Sequence, residues 1–371
     1  MASETAGPGV TVARPLHESC RGSRWQSSAK LKMSPAPKRR SLMNSRERVI
    51  AALAGRDVDR PPYALWRHFP GIDTDPTALA QATLAFARRW QIDLVKQTPN
   101  GLYAVEDWGV PVQPAELVGT APEIVVPPRL ESPSGWRELP ALTPTAGALG
   151  RELEALKRVR DGLDSSVPVV MTIFSPLTLA WKLVGPRLLD DLHDHDESLR
   201  AGLKIIARSV ADFGRAALDA GADGLFFATQ LATRQTLAPA DYTTFGEHFD
   251  EIVLGEVRPR ADLLILHLHG TDIFFSLAND YPVDAVSWHD RETEPILATA
   301  MGLTSRGLVA GLDRRAFLEG PAVVRRQVRT ALDMTAGRRL ILAPSCVIPS
   351  EAPDEALQAV VDEVQHWATS L

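Results

Sequence analysis

Apolar and polar positions alternate along this chain in a regular order. Short apolar runs occur at Tyr63–Trp66, Asp93–Gln97, Val167–Phe174, Gly224–Thr229, Leu263–His269, Ala285–His289, Gly307–Asp313 and Arg339–Ala343. Most gaps between them carry apolar residues at helical spacing, as in Pro76–Trp90, Leu199–Ala220, Glu292–Met301 and Pro321–Ala336. Strands that alternate with helices predict a parallel sheet. Eight such units predict an α/β fold, a single (β/α)8 TIM barrel with inserted loops over residues 43–371. A barrel of this kind needs ~250 residues or more. A doubly wound open sheet is the alternative. Gly221-Ala222-Asp223-Gly224 precedes an apolar run, whereas a dinucleotide site needs its glycines to follow one.

The C-terminal ends of the runs carry the polar residues. In order they deliver Arg67 and His68, Lys96 and Asn100, Thr172 and Ser175, Thr229 and Gln230, His267 and His269, His289 and Asp290, Asp313, and Cys346. Barrel enzymes place their chemistry on that rim. His267 and His269 stand two apart, so on a strand both rings point to the same face. Two imidazoles and the Cys346 thiolate make a three-ligand zinc set, and a catalytic zinc keeps a fourth position open. The plainer reading is a pair of hydrogen-bonded histidines and an inert buried cysteine. His289 or Asp290 is a fourth ligand, a general base or a group that orients a ligating ring, unless Asp290 and Arg291 are simply a surface pair. Tyr103, Glu106, Asp107 and Trp108 either cover the site or form a structural turn. The run from Asp190 to Asp196 contains two histidines and four aspartates, but reads as the solvated end of a helix. Arg325, Arg326 and Arg329 read as an exposed basic helix face.

Composition narrows the class. The chain has 371 residues, 45% hydrophobic and 23% charged, and no apolar run reaches the ~20 residues of a membrane span. Its two cysteines, Cys20 and Cys346, fit a reducing, cytoplasmic setting better than a disulfide framework. Residues 1–42 hold eight Lys/Arg against Glu4 and Glu18, so this tail is +6 and residues 43–371 carry −12 of the total −6. An acidic body argues against a nucleic-acid surface. The tail is rich in Ser, Pro, Gly and Arg and is expected to be disordered. It reads as a transit peptide or as an over-extended start, with Met43 the favoured true start. Asn44 and Ser45 offer a polar cap to a helix beginning there.

Several stretches together resemble the uroporphyrinogen decarboxylase superfamily. They are RVIAALAGRDVDRPP at residues 48–62, SPLTLAWKLVG at 175–185, AGAD at 220–223 with Asp241-Tyr242 following, Gly311–Asp313, and CVIPSEAP at 346–353. The resemblance implies a (β/α)8 barrel, an enzyme and a homodimer. It also implies one of two chemistries. The haem-pathway decarboxylases of this superfamily hold their substrate with an aspartate at the end of strand two and a pair of arginines near strand one. Here Asn100 stands at the first position, and Arg67 lacks a second arginine because Gly71 occupies it. Trp181-Lys182 and Ser345-Cys346 replace a tyrosine and a histidine of that pattern. The other branch contains zinc-dependent methyltransferases that act with corrinoid proteins and thiols, using H-x-C on strand five and a cysteine on strand eight. His267, His269 and Cys346 are similar to that set, with imidazole in place of one thiolate. The implied enzyme is therefore a zinc-dependent methyl or alkyl transferase with His267, His269 and Cys346 on the metal. His289 and Asp290 would be catalytic. Arg67, Lys96, Asn100, Tyr103 and Gln230 would bind a small-molecule substrate. A corrinoid on a partner protein is the implied methyl source. Porphyrinogen decarboxylation and a non-catalytic binding module are the alternatives.

Overall fold

The computed structural model describes residues 42–111 and 130–370. Seven strands form one parallel sheet in sequence order: β1 (Val95–Gln97), β2 (Val169–Phe174), β3 (Gly224–Thr229), β4 (Leu263–Leu268), β5 (Ala285–Trp288), β6 (Gly307–Leu312) and β7 (Leu340–Pro344). Every residue of these strands is buried. Helices follow the strands and cover the sheet, so the strands after β1 read as largely apolar runs rather than alternating ones.

The eighth expected strand, Tyr63–Trp66, is not a ladder. It contributes one parallel bridge, Tyr63 to Leu342. Ala64 N–H donates to the Leu342 carbonyl and Leu342 N–H to that of Pro62, while Asp93 N–H donates to the Tyr63 carbonyl. The segment thus touches β7 on one side and the approach to β1 on the other. Pro61 and Pro62 have no N–H to give a longer ladder.

Two of the expected helices start on side-chain caps. Asn44 accepts from Glu47 N–H, and the Glu47 carboxylate accepts from Asn44 N–H, which starts the helix Ser45–Leu53. Asp75 caps Pro76–Trp90. The expected helix Glu292–Met301 forms only over Leu297–Leu303, because Pro295 bars helical backbone before it. The acidic run at 190–196 is a helix end with His193 exposed, as expected. Asp191 differs: it is buried and accepts from Trp136 Nε1 at 2.7 Å. The basic face near 325 is not free either. Arg325 pairs with Asp362 at 3.1 Å, and Arg329 with Glu363, both on the C-terminal helix Asp354–Ser370. Among the described residues no helix is long and apolar enough to cross a membrane.

Behind β3 and β4 lies a buried acid. Asp250 accepts from Tyr242 at 2.9 Å and Tyr281 at 2.7 Å, and its other oxygen has no partner. Burial pushes its pKa up from 3.8 to about 7, so the folded chain keeps a proton that the unfolded chain has lost. Stability from this site is full below pH 3.8 and is lost as pH rises through about 7. Glu152, pushed by burial to about 8, acts with the same sign. Asp250→Asn mimics the protonated acid. It is expected to stabilise the fold at pH 8 by roughly 2–4 kcal/mol and to flatten the fall between pH 5 and pH 8 in urea-unfolding midpoints. An unchanged fall would contradict this assignment.

Candidate metal centre

Four side chains meet at the C-terminal ends of the central strands. His267 lies on β4, in register with Ala228 of β3 and Ser287 of β5. His269 follows two residues later, just past the strand end. His289 is the first residue after β5, and Cys346 comes two residues after β7. One donor atom from each lies within 4.8 Å of the others. The Cys346 Sγ is 4.0 Å from His269 Nδ1, and the His269 and His289 ring centroids are 4.8 Å apart.

Each buried ring is held from behind. His267 Nδ1 is 3.1 Å from Ser287 Oγ, and its face stacks on Phe226 at 5.1 Å. His289 Nδ1 is 3.5 Å from Glu292, which also pairs with Arg315 at 3.3 Å. That leaves His289 Nε2 buried without a hydrogen-bond partner. That nitrogen therefore stands open beside a thiol and two other rings. Burial opposes ionisation of Cys346, but the neighbouring rings of His267, His269 and His289 outweigh it and hold the thiol well below its ordinary pKa. Burial likewise opposes charge on His289, yet Cys346 and Glu292 raise it to about 9. Burial dominates at His267 and pushes it down to about 4.

A cavity of about 70 Å³ opens beside this cluster. His267, His269 and Cys346 form one wall, and Trp66, Phe174 and Phe226 form the apolar walls. His68, Lys96 and Gln230 supply polar atoms. No carboxylate lines it among the described residues.

The other expected site residues fall into two groups. Lys96 and Gln230 line the cavity, whereas Arg67, Asn100 and Tyr103 are not among its lining residues. Arg67 donates to the Ser350 carbonyl at 2.6 Å. Asn100 bonds Leu102 N–H and Glu106. Tyr103 is buried, with its hydroxyl on the Thr172 carbonyl at 2.7 Å. Asp107 accepts from Ala148 and Leu149 at the start of the helix Gly147–Gly162. Tyr103 to Trp108 is therefore structural rather than a cover. Asp290 is buried too, and accepts from Gly311 N–H at 3.0 Å. Gly311 has φ +110°, a conformation that suits glycine. Asp290 thus ties the loop after β5 to β6 and is not among the cavity's lining residues.

Sequence reading placed His68 on the rim without giving it a role, and missed the aromatic walls. The signal was present as strand alternation: Trp66 and His68 share one face and Arg67 takes the other. It also missed Lys182, which is only 1% exposed, has no hydrogen-bond partner for its Nζ, and lies 4.6 Å from the Phe174 ring centroid.

A parallel α/β sheet with a histidine and cysteine cluster at its C-terminal rim defines a class of enzyme-like scaffold. The profile of the Uroporphyrinogen decarboxylase (URO-D) family matches residues 44–367, and the chain belongs to that family. It is 21% identical over 337 residues to the methylcobamide:CoM methyltransferase MtbA of Methanosarcina acetivorans, covering 87% of this chain and 98% of that one. It is 23% identical over 279 residues to a uroporphyrinogen decarboxylase of a Polaromonas species, covering 71% and 73%. A solved methyltransferase from Methanosarcina mazei superposes with a TM-score of 0.76 at 20% identity, covering 88% of this chain and 99% of that structure. That superposition speaks for the fold.

Proposed function

We propose that this chain is a zinc-dependent alkyl-transfer enzyme, in the simplest case moving a methyl group from a corrinoid carried by a partner protein to a small thiol. The observation that carries the reading is the convergence of His267, His269, His289 and Cys346 within 4.8 Å. One thiolate and neutral imidazoles are good zinc ligands. Bound zinc would act as a Lewis acid that lowers the pKa of a coordinated thiol. Ser287 and Glu292 hold the rings of His267 and His289 in place. Phe226, Trp66 and Phe174 keep the reacting atoms dry, and Gln230 and Lys96 face the substrate. The relative named for a methylcobamide and CoM supports the donor and acceptor classes.

Cavity size fits this reading. A space of about 70 Å³ beside the cluster suits a small thiol, since it holds a handful of water-sized groups at ~10–15 Å³ for each. Asn100 lacks the negative charge expected for porphyrinogen decarboxylation. The closed eight-strand barrel belongs to the same reading, with the bridge at Tyr63 as its eighth member.

The test is a paired assay. Zinc-loaded protein given methylcobalamin and 2-mercaptoethanol is expected to form the methyl thioether and to leave uroporphyrinogen unchanged. Uroporphyrinogen turnover that survives Cys346→Ser would overturn the proposal in favour of decarboxylation. Supporting residues should matter as well. Ser287→Ala and Glu292→Ala are each expected to weaken zinc affinity by about 10–100-fold, read by competition with a chromophoric chelator.

A further inference from the structure

A thiol must lose a proton before its sulfur can take an alkyl group, and the cavity limits where that proton can go. Three of its titratable groups, His267, His269 and Cys346, belong to the metal cluster. The hydroxyls of Thr98 and Thr172 and the amide of Gln230 are not bases near neutral pH. That leaves His68 and Lys96 among the described lining residues.

Lys96 sits on β1 with its side chain buried. Its Nζ has one weak partner, Thr98 Oγ1 at 3.4 Å, and lies 4.7 Å from the Phe226 ring centroid and 5.6 Å from that of Trp66. Phe226 in turn stacks on His267. The amine is therefore one aromatic ring away from the metal donors. Aromatic faces accept an ammonium, so the charged form is tolerated without a carboxylate to lock it in. The groups facing this part of the cavity are His68 after the Tyr63 bridge, His267 and His269 at the end of β4, and Cys346 after β7. Lys182, on the helix after β2, is felt at His68. None is a carboxylate.

We propose that Lys96 is the catalytic base that takes the proton of the incoming thiol, an inference that rests on the thiol-transfer reading above. The S–H bond breaks and its electron pair stays on sulfur. The lone pair of the neutral amine forms the new N–H bond, and Lys96 becomes an ammonium. After alkyl transfer that proton passes to solvent.

Burial lowers Lys96 to about 8, while the Cys346 thiolate pulls the other way. That is within about half a unit of an ordinary thiol, near 8.5, so the proton would partition almost evenly for a free thiol and further toward Lys96 for one whose pKa bound zinc lowers. Burial and the Lys96 charge lower His68 to about 4. A base that weak is disfavoured by roughly 10⁴-fold against the same thiol.

The experiment is calorimetric. 2-Mercaptoethanol is titrated into zinc-loaded protein at pH 9, where Lys96 is mostly neutral, in buffers of different ionisation enthalpy. Wild type is expected to release fewer protons per thiol bound than Lys96→Met, because the thiolate that forms beside the amine favours its charged form and keeps part of the proton on Lys96. Lys96→Met is expected to release close to one. Lys96→Arg keeps the cation but cannot accept a proton, and is expected to match Lys96→Met, which guards against a packing effect. Equal release from all three proteins with binding intact overturns the role of Lys96 alone. Failure of zinc-loaded wild type to bind the thiol overturns the functional reading, and this inference with it.

Discussion

Cys346→Ala is expected to strip the protein of tightly held zinc and to abolish alkyl transfer while leaving the fold in place. Cys346 is the only anionic donor in a cluster that otherwise offers three imidazoles. Structural zinc sites bind with apparent energies of about 10–16 kcal/mol over four ligands. Loss of one ligand therefore removes about 2.5–4 kcal/mol, or two to three decades of affinity. The loss should be greater for the thiolate than for a ring, so His289→Ala is expected to retain more zinc than Cys346→Ala. The fold should survive because Cys346 lies just past β7, is only partly buried and adds little to the core. Chelator competition with far-UV circular dichroism separates the two effects. A variant that is folded, loaded and active would contradict the assignment.

The largest stability effect is expected at Asp93. This carboxylate is fully buried between two arginines, with Arg48 at 2.7 Å and Arg60 at 2.6 Å. It also accepts from Ser45 at 3.1 Å and from the backbone N–H of Tyr63 at 3.1 Å. Arg48 is shared with Asp59 at 2.7 Å. The network joins the first helix, the Tyr63 bridge and the approach to β1, so it sets the edge on which Trp66 and His68 reach the cavity. Removing one partner of a buried ion pair strands the other charge and costs about 3–5 kcal/mol. Asp93→Ala is expected to lose that much in urea unfolding. A loss below about 1 kcal/mol would show that Arg48 and Arg60 find other partners and that the network is not what holds this edge.

Much of this architecture was legible in the sequence because the strands are buried on both faces. Most of their sequences are apolar runs, and seven of the eight expected positions form strands, with ends shifted by a residue or two. The eighth was misjudged because apolar content says nothing about missing donors, and Pro61 and Pro62 decide the matter. The cluster was legible for the same reason: strand ends in a parallel sheet converge, so His267, His269 and Cys346 point to one rim. His289 was ambiguous, since nothing local separates a ligand from a base, and only the orphaned Nε2 aims it at the cluster.

Polar residues beyond strand ends were the weakest part. Arg67, Asn100, Tyr103 and Asp290 occupy rim positions in the sequence, but each makes a hydrogen bond within the protein and none lines the cavity. Those partners, such as the Gly311 N–H that Asp290 holds, lie far along the chain. The motif RVIAALAGRDVDRPP finds its physical meaning in the Arg48–Asp59–Asp93–Arg60 network, which needed the fold to bring Asp93 to it. The basic tail at residues 1–42 falls almost wholly outside the described residues.

The central claim is that one thiolate and imidazole rings hold a single zinc ion. X-ray absorption at the zinc edge of the loaded protein tests it most directly. The account predicts one sulfur at about 2.3 Å with nitrogen neighbours at about 2.0–2.1 Å, and loss of the sulfur shell in Cys346→Ser. A shell of light atoms alone in the wild-type protein, or an unchanged shell in that variant, would contradict it.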